Sequence, residues 1–176
     1  MFLLPACSFP VHSSIFTILP SVFSIFLQYV QPSMKKLRKI LLVDDDRVNN
    51  FLNESLLEEL NIAEEIMVLT NGKQALEHIL DHCATAYKIC PEIVIFDHFM
   101  PVMDGMEFIK ALHTSDFINR SKVVFILLGI QSKPEDIAAF QRLGVQEFTT
   151  KPLSPEVVRD ACRKYFSGDT AKNHAK

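Results

Sequence analysis

The sequence predicts an α/β protein: a doubly wound, five-stranded parallel sheet with helices on both faces. Two observations carry that expectation. Short apolar runs of strand length alternate with stretches whose apolar residues recur at helical spacing, five times and in strict order. The runs are apolar at successive positions rather than at every second one, as strands covered on both sides are.

Taken in order, Lys39 to Val43 is the first strand and ends in three acids, Asp44, Asp45 and Asp46. Val48, Leu52, Leu56 and Leu60 recur every fourth residue, with Asn and Glu between them, and predict a helix. Ile66 to Leu69 is the second strand, Asn71-Gly72 a turn, and Ala75, Leu76, Ile79 and Leu80 mark the second helix. Ile93 to Phe96 is the third strand; a loop with Pro101 and Asp104-Gly105 leads into a helix carrying Phe108, Ile109 and Leu112. Val123 to Leu128 is the fourth strand, and Ile137, Phe140 and Leu143 lie on a helix that stops at Gly144. Glu147 to Thr149 is a short fifth strand, and Ser154-Pro155 opens the last helix as N-cap and first residue.

Charge divides the chain sharply. All 18 Lys and Arg and all 21 Asp and Glu residues lie from Met34 onward. Residues 1–33 form an uncharged, Phe-rich head broken by Pro5, Pro10, Pro20 and Pro32. It reads as an artefactual extension or a disordered segment, or else as a membrane anchor, against which Pro10 and Pro20 weigh. Residues 34–166 form the folded domain, and 167–176 a polar tail. The net charge of −3 provides no positive field for nonspecific attraction to nucleic acid. Cys7, Cys83, Cys90 and Cys162 make no C-x-x-C pair, which excludes a zinc ribbon and a thioredoxin motif. They read as reduced packing thiols of a cytosolic protein.

Ligands of such sheets sit beyond the carboxyl ends of the strands. There the first strand delivers Asp44, Asp45 and Asp46, the third Asp97, the fourth Gly129 and the fifth Lys151-Pro152. Two carboxylates about 5 Å apart repel by roughly 3 kcal/mol at an effective dielectric of about 20. Such a cluster calls for a cation, and a hard one such as Mg²⁺ suits oxygen ligands best. Alone, Asp46 would be a helix N-cap and Lys151 a solvated charge; acids at two strand ends with a lysine at a third make a site.

Val43-Asp44-Asp45, Asp97 followed by Met100-Pro101-x-Met103-Asp104-Gly105, and Lys151-Pro152 together resemble the receiver domain of two-component response regulators, in its stand-alone, single-domain form. The resemblance runs from about Lys36 to Phe166 and implies a flavodoxin-like (βα)5 fold. It also implies that Asp97 is the phosphoacceptor, that Lys151 contacts the phosphoryl group, and that Mg²⁺ is held by Asp44, Asp45, Asp97 and the backbone carbonyl of Phe99. A cis Lys151-Pro152 bond, Phe148 at an aromatic switch position, and a sensor histidine kinase or histidine phosphotransfer protein as donor follow from the same resemblance. So do an unidentified downstream protein, a cytoplasmic location, and catalysis confined to the protein's own phosphorylation and dephosphorylation. The chemistry agrees, since an Asp carboxylate forms an acyl phosphate and a lysine supplies a point charge to its oxygens.

Three positions depart from the pattern. Gly129 stands where the family carries Ser or Thr, so no hydroxyl grips the phosphoryl group. The expectation is a partly pre-set output face, with Phe148 inward even without phosphate and, where the site geometry is otherwise intact, Gly129→Thr enlarging the response. Phe99 cannot orient a water by hydrogen bonding, and His98 is expected to point to solvent or loop. Two other readings stand beside the receiver. One is a pseudo-receiver that no longer switches, resting on Gly129. The other is a haloacid-dehalogenase-like phosphatase using Asp44 in Asp44-x-Asp46-x-Val48, for which the chain leaves little room for a cap.

Overall fold

The computed structural model describes residues 36–83, 89–115, 123–129 and 134–166. The head and tail assigned from the sequence lie outside them. In chain order the elements are β1 (Leu37–Val43), α1 (Arg47–Leu60), β2 (Ala63–Leu69), α2 (Gly72–Cys83) and β3 (Ile93–Asp97). There follow α3 (Gly105–His113), β4 (Val124–Leu128), α4 (Pro134–Arg142), β5 (Glu147–Thr149) and α5 (Pro155–Phe166). All strand pairs are parallel, in the order β2-β1-β3-β4-β5. The order reverses between β1 and β3, which opens a crevice at their carboxyl ends.

Side chains alternate across a strand, so each buried strand feeds two cores. Leu41, Val43, Val94, Phe96, Phe125 and Leu127 meet α2, α3 and α4 through Ala75, Ile79, Phe108, Leu112 and Phe140. Ile40, Leu42, Ile93, Ile95, Ile126 and Leu128 meet α1 and α5 through Leu57, Val158, Ala161 and Cys162. Each buried Leu, Ile, Val or Phe contributes roughly 1.5–3 kcal/mol. This two-sided burial is why β1, β3 and β4 read as unbroken apolar runs.

The helix marked by that row is present as α1, but the row is not its buried face. The buried residues of that helix are Asn50, Asn53 and Leu57, while Val48 and Leu52 are 66% and 51% exposed. Residues four apart advance by about 40° around a helix, so three such steps wind the row through about 120°. The row therefore starts in solvent at Val48 and reaches the core's edge only at Leu56 and Leu60.

Asn71-Gly72 is not a free turn. Gly72 opens α2, and Asn71 Oδ1 accepts a hydrogen bond from the Gln74 N–H at 3.0 Å. A Cβ on Gly72 would lie 2.7 Å from the Met103 carbonyl, so the glycine lets α2 touch the β3–α3 loop. β2 begins earlier than its apolar run because Glu65 lies opposite Lys39 in the β1–β2 register. The two side chains pair at 2.9 Å, which accommodates a lysine buried in β1.

The reduced-thiol reading fails for one pair: Cys83 and Cys90 form a disulfide. The end of α2 and the approach to β3 bring their Cα atoms to 4.7 Å, a proximity that comes from the tertiary path and not from any cysteine motif. Cys162 is a buried free thiol whose pKa burial pushes up to about 11; Cys7 lies outside the described residues. Among the described residues, no helix is long and apolar enough to cross a membrane.

Candidate functional site

The register pairs Val43 with Phe96, so Asp44 and Asp97 leave neighbouring strands at the same level. Both are buried. Asp44 Oδ1 accepts from the Asp46 N–H at 2.9 Å, and its main-chain carbonyl accepts from Asn50 Nδ2 at 2.6 Å. Asp46 caps α1, accepting from the N–H groups of Val48 (2.7 Å) and Asn49 (3.3 Å). Capping thus occupies one of the three consecutive acids. Asp45 is exposed beside the other two, and carboxylate oxygens of Asp44, Asp45 and Asp97 lie within 4.8 Å of one another.

Lys151 enters from beyond β5, across a cis bond to Pro152. Its Nζ lies 2.7 Å from Asp44 Oδ2 and 3.2 Å from Asp97 Oδ2. Burial raises the pKa of Asp97; the nearby Lys151 opposes the rise and Asp44 adds to it. For Lys151, burial acts downward, but pairing with Asp44 and then Asp97 outweighs it and holds the ammonium above its ordinary value. One ammonium faces three carboxylates.

The loop after β3 is shaped by close backbone approach. The Gly105 N–H donates to the His98 carbonyl at 2.8 Å, and a Cβ on Gly105 would come within 2.5 Å of the Asp97 carbonyl. Asp104 and Glu107 form a reciprocal capping box that starts α3. Between them and Asp97, the Met103 N–H closes on the Pro101 carbonyl at 2.9 Å, with Val102 at φ 72°. Positive φ is unusual for a β-branched residue.

His98 does not point to solvent or loop, as expected from its neighbourhood in sequence. It is buried, stacked on Phe99 (ring centroids 4.1 Å apart) and edge-on to Phe140 (5.1 Å). Alternation places it on the same side as Phe96, which also meets Phe140, and a flat imidazole packs there as an aromatic ring does. The Phe99 ring is exposed at the rim. Phe148 is half-buried against the α2–α3–α4 core.

Gly129 sits at φ +90°, and its N–H donates to the Thr149 carbonyl at 2.8 Å. A Cβ there would lie 2.9 Å from Asp97 Oδ1 and 3.2 Å from Lys151 Cε. The expectation attached to Gly129→Thr requires an otherwise intact site geometry, and here a threonine would strain the backbone and press on the ends of the Asp97 and Lys151 side chains. Asn50 is the residue that the sequence reading missed. Its signal, an asparagine on the inner face of α1, appears only once the phase of that helix is known.

Residues 40–163 match the family described as the response regulator receiver domain. Over 122 residues the chain is 28% identical to a two-component response regulator of Oryza sativa subsp. japonica, covering 69% of this chain and 89% of the rice protein. It is 29% identical over 129 residues to sporulation initiation phosphotransferase F of Bacillus subtilis (strain 168), covering 73% of this chain and 93% of that protein. Other relatives are longer proteins, of which the chain spans about a third or less. The crystal structure of a two component response regulator from Cytophaga hutchinsonii superposes with a TM-score of 0.67 at 27% identity, covering 74% of this chain and 98% of that one. With this parallel sheet, its strand order and the acids at its switch point, the chain belongs to the response regulator receiver family.

Proposed function

We propose that Asp97 accepts a phosphoryl group from a sensor histidine kinase or a histidine phosphotransfer protein, and that the phosphorylated domain signals by protein contact. The observation that carries this reading is the convergence of Asp44, Asp45, Asp97 and Lys151 from three strand ends. The Asp97 carboxylate forms an O–P bond as the donor's phosphorus–nitrogen bond breaks, giving an acyl phosphate. Lys151, already 3.2 Å from Asp97, is placed to pair with the anionic oxygens of the product.

The donor set suits Mg²⁺. All three acids offer oxygen, and among the described residues the buried Asp44 Oδ2 meets no polar partner but the Lys151 ammonium. Asp44, Asp45 and Asp97, with the Phe99 carbonyl as a fourth ligand, would hold the ion. When bound, it offsets charge on the transferring phosphoryl oxygens.

An apolar rim supports a protein donor. Val48, Phe51 and Leu52 on the first turns of α1, and Phe99 and Val102 on the β3–α3 loop, are all more than half exposed. Exposed apolar side chains grouped near a polar site mark a contact for a partner's surface. The phosphatase reading loses its second acid, because Asp46 is committed to capping α1. Gly129 favours a second reading of the output, a receiver with a small conformational response, because no hydroxyl at that position can follow the phosphoryl group.

Acetyl phosphate with Mg²⁺, followed by intact mass, tests the acceptor. One phosphoryl group is expected on the unmodified protein and on Asp46→Asn, and none on Asp97→Asn. An adduct persisting on Asp97→Asn would overturn the assignment.

A further inference from the structure

Two of the three buried residues of α1 are asparagines. A buried carboxamide costs roughly 1–3 kcal/mol for each polar group left without a partner. Asn50 is satisfied on one side only: Nδ2 donates to the Asp44 carbonyl, while the buried Oδ1 has no hydrogen-bond partner among the described residues. An apolar side chain of the same size would serve the core better. What the amide does instead is hold one particular carbonyl.

That carbonyl belongs to the peptide joining Asp44 to Asp45. Asp44 is fixed at three further points: its N–H on the Leu69 carbonyl (3.2 Å), Oδ1 on the Asp46 N–H, and Oδ2 on Lys151. The Asp45 carboxylate has no hydrogen bond or ion pair among the described residues. Its place is therefore set by its backbone, and the Asp44–Asp45 peptide is the part of that backbone that Asn50 grips.

We propose that Asn50 is a positioning residue for the cation site: by holding the Asp44–Asp45 peptide, it sets the spacing of the two carboxylates. This rests on the reading of Asp44, Asp45 and Asp97 as cation ligands. Groups behind metal ligands typically change affinity by about 10–100-fold when removed.

The test is Mg²⁺ titration by calorimetry of the unmodified protein, Asn50→Leu and Asn53→Leu. Asn53 is equally buried on the same helix, one turn further from its N-terminus. The Mg²⁺ Kd is expected to rise about tenfold in Asn50→Leu and to stay unchanged in Asn53→Leu. If Asn50→Leu does not fold, Asn50→Ser, too short to reach the Asp44 carbonyl, is titrated in its place with the same expectation. An unchanged Kd in the folded Asn50 variant, or equal weakening in both leucine variants, would overturn the inference alone. Absence of Mg²⁺ binding by the unmodified protein would overturn the reading beneath it, and the inference with it.

Discussion

Replacing Gly129 and Gly144 separately with alanine distinguishes two costs that usually arrive together. Both glycines have nearly the same backbone, φ +90° and +93°. Nothing lies within 4 Å of a Cβ at residue 144, whereas at residue 129 it would meet Asp97 Oδ1 at 2.9 Å and Lys151 Cε at 3.2 Å. An L-residue in the left-handed region costs about 1–2 kcal/mol, so Gly144→Ala should lose about that much. Gly129→Ala should lose the same amount and about 1 kcal/mol or more for crowding. The crowding falls on the Asp97–Lys151 pair, so Gly129→Ala should also reduce the stabilisation that Mg²⁺ confers, while Gly144→Ala leaves it unchanged. Urea unfolding with and without Mg²⁺ measures both effects, provided the slope m is the same in all three proteins. Equal losses in the two variants with the same Mg²⁺ response would show that the Gly129 flank is not tight and would refute the reasoning.

Three further expectations concern charge and strain. Because the pKa of Asp97 is raised by burial above its ordinary 3.8, the folded state keeps a proton that the unfolded chain releases, and stability falls as pH rises through that window. Without divalent cations, Asp97→Asn should therefore be the more stable protein at pH 7, with the gap closing below pH 4; a gap independent of pH in urea unfolding would refute this. His78 behaves in the opposite sense: burial first, then His82 and Lys39, lower its pKa from 6.5 to about 4, against Glu65 and Asp81. The unfolded chain then binds the extra proton, so stability should drop as pH falls from 6.5 through about 4, and His78→Gln should flatten that slope in thermal unfolding. Val102→Asn should stabilise by about 1 kcal/mol, because Asn tolerates positive φ and the exposed Val102 side chain loses no packing; an unchanged urea midpoint would count against strain in this loop.

The order of elements was legible because β1, β3 and β4 are covered on both faces and carry their burial in unbroken apolar runs. What failed was phase and partnership. The Val48–Leu60 row has helical spacing but not helical phase, since a strict four-residue repeat winds around the axis, and only Asn50, Asn53 and Leu57 are fully buried. The start of β2 was hidden because Glu65 is paired with Lys39 on the neighbouring strand, a contact between residues 26 positions apart in the chain. His98 and the Cys83–Cys90 pair were misread for a related reason. Whether a histidine is buried, or two cysteines meet, depends on elements the local sequence does not contain.

Asp44, Asp45, Asp97 and Lys151 were easier to find, because each follows a strand and strands end at the site. Glycine is different, since it can mark either a missing side chain or a required backbone. As a letter in the chain, Gly129 is a missing hydroxyl. In the structure it is also a positive φ held against Asp97, and it has a counterpart in Gly105. A Cβ on Gly105 would strike the Asp97 carbonyl at 2.5 Å, as one on Gly129 would crowd its carboxylate at 2.9 Å. Asp97 is thus approached by bare backbone at both its main chain and its side chain. A hydroxyl-bearing residue at position 129 would have to adopt the positive φ and press on Asp97 Oδ1 and Lys151 Cε, so restoring the hydroxyl strains the backbone as well as adding a side chain. Supplying a hydroxyl at position 129 and keeping this backbone unstrained are therefore in conflict.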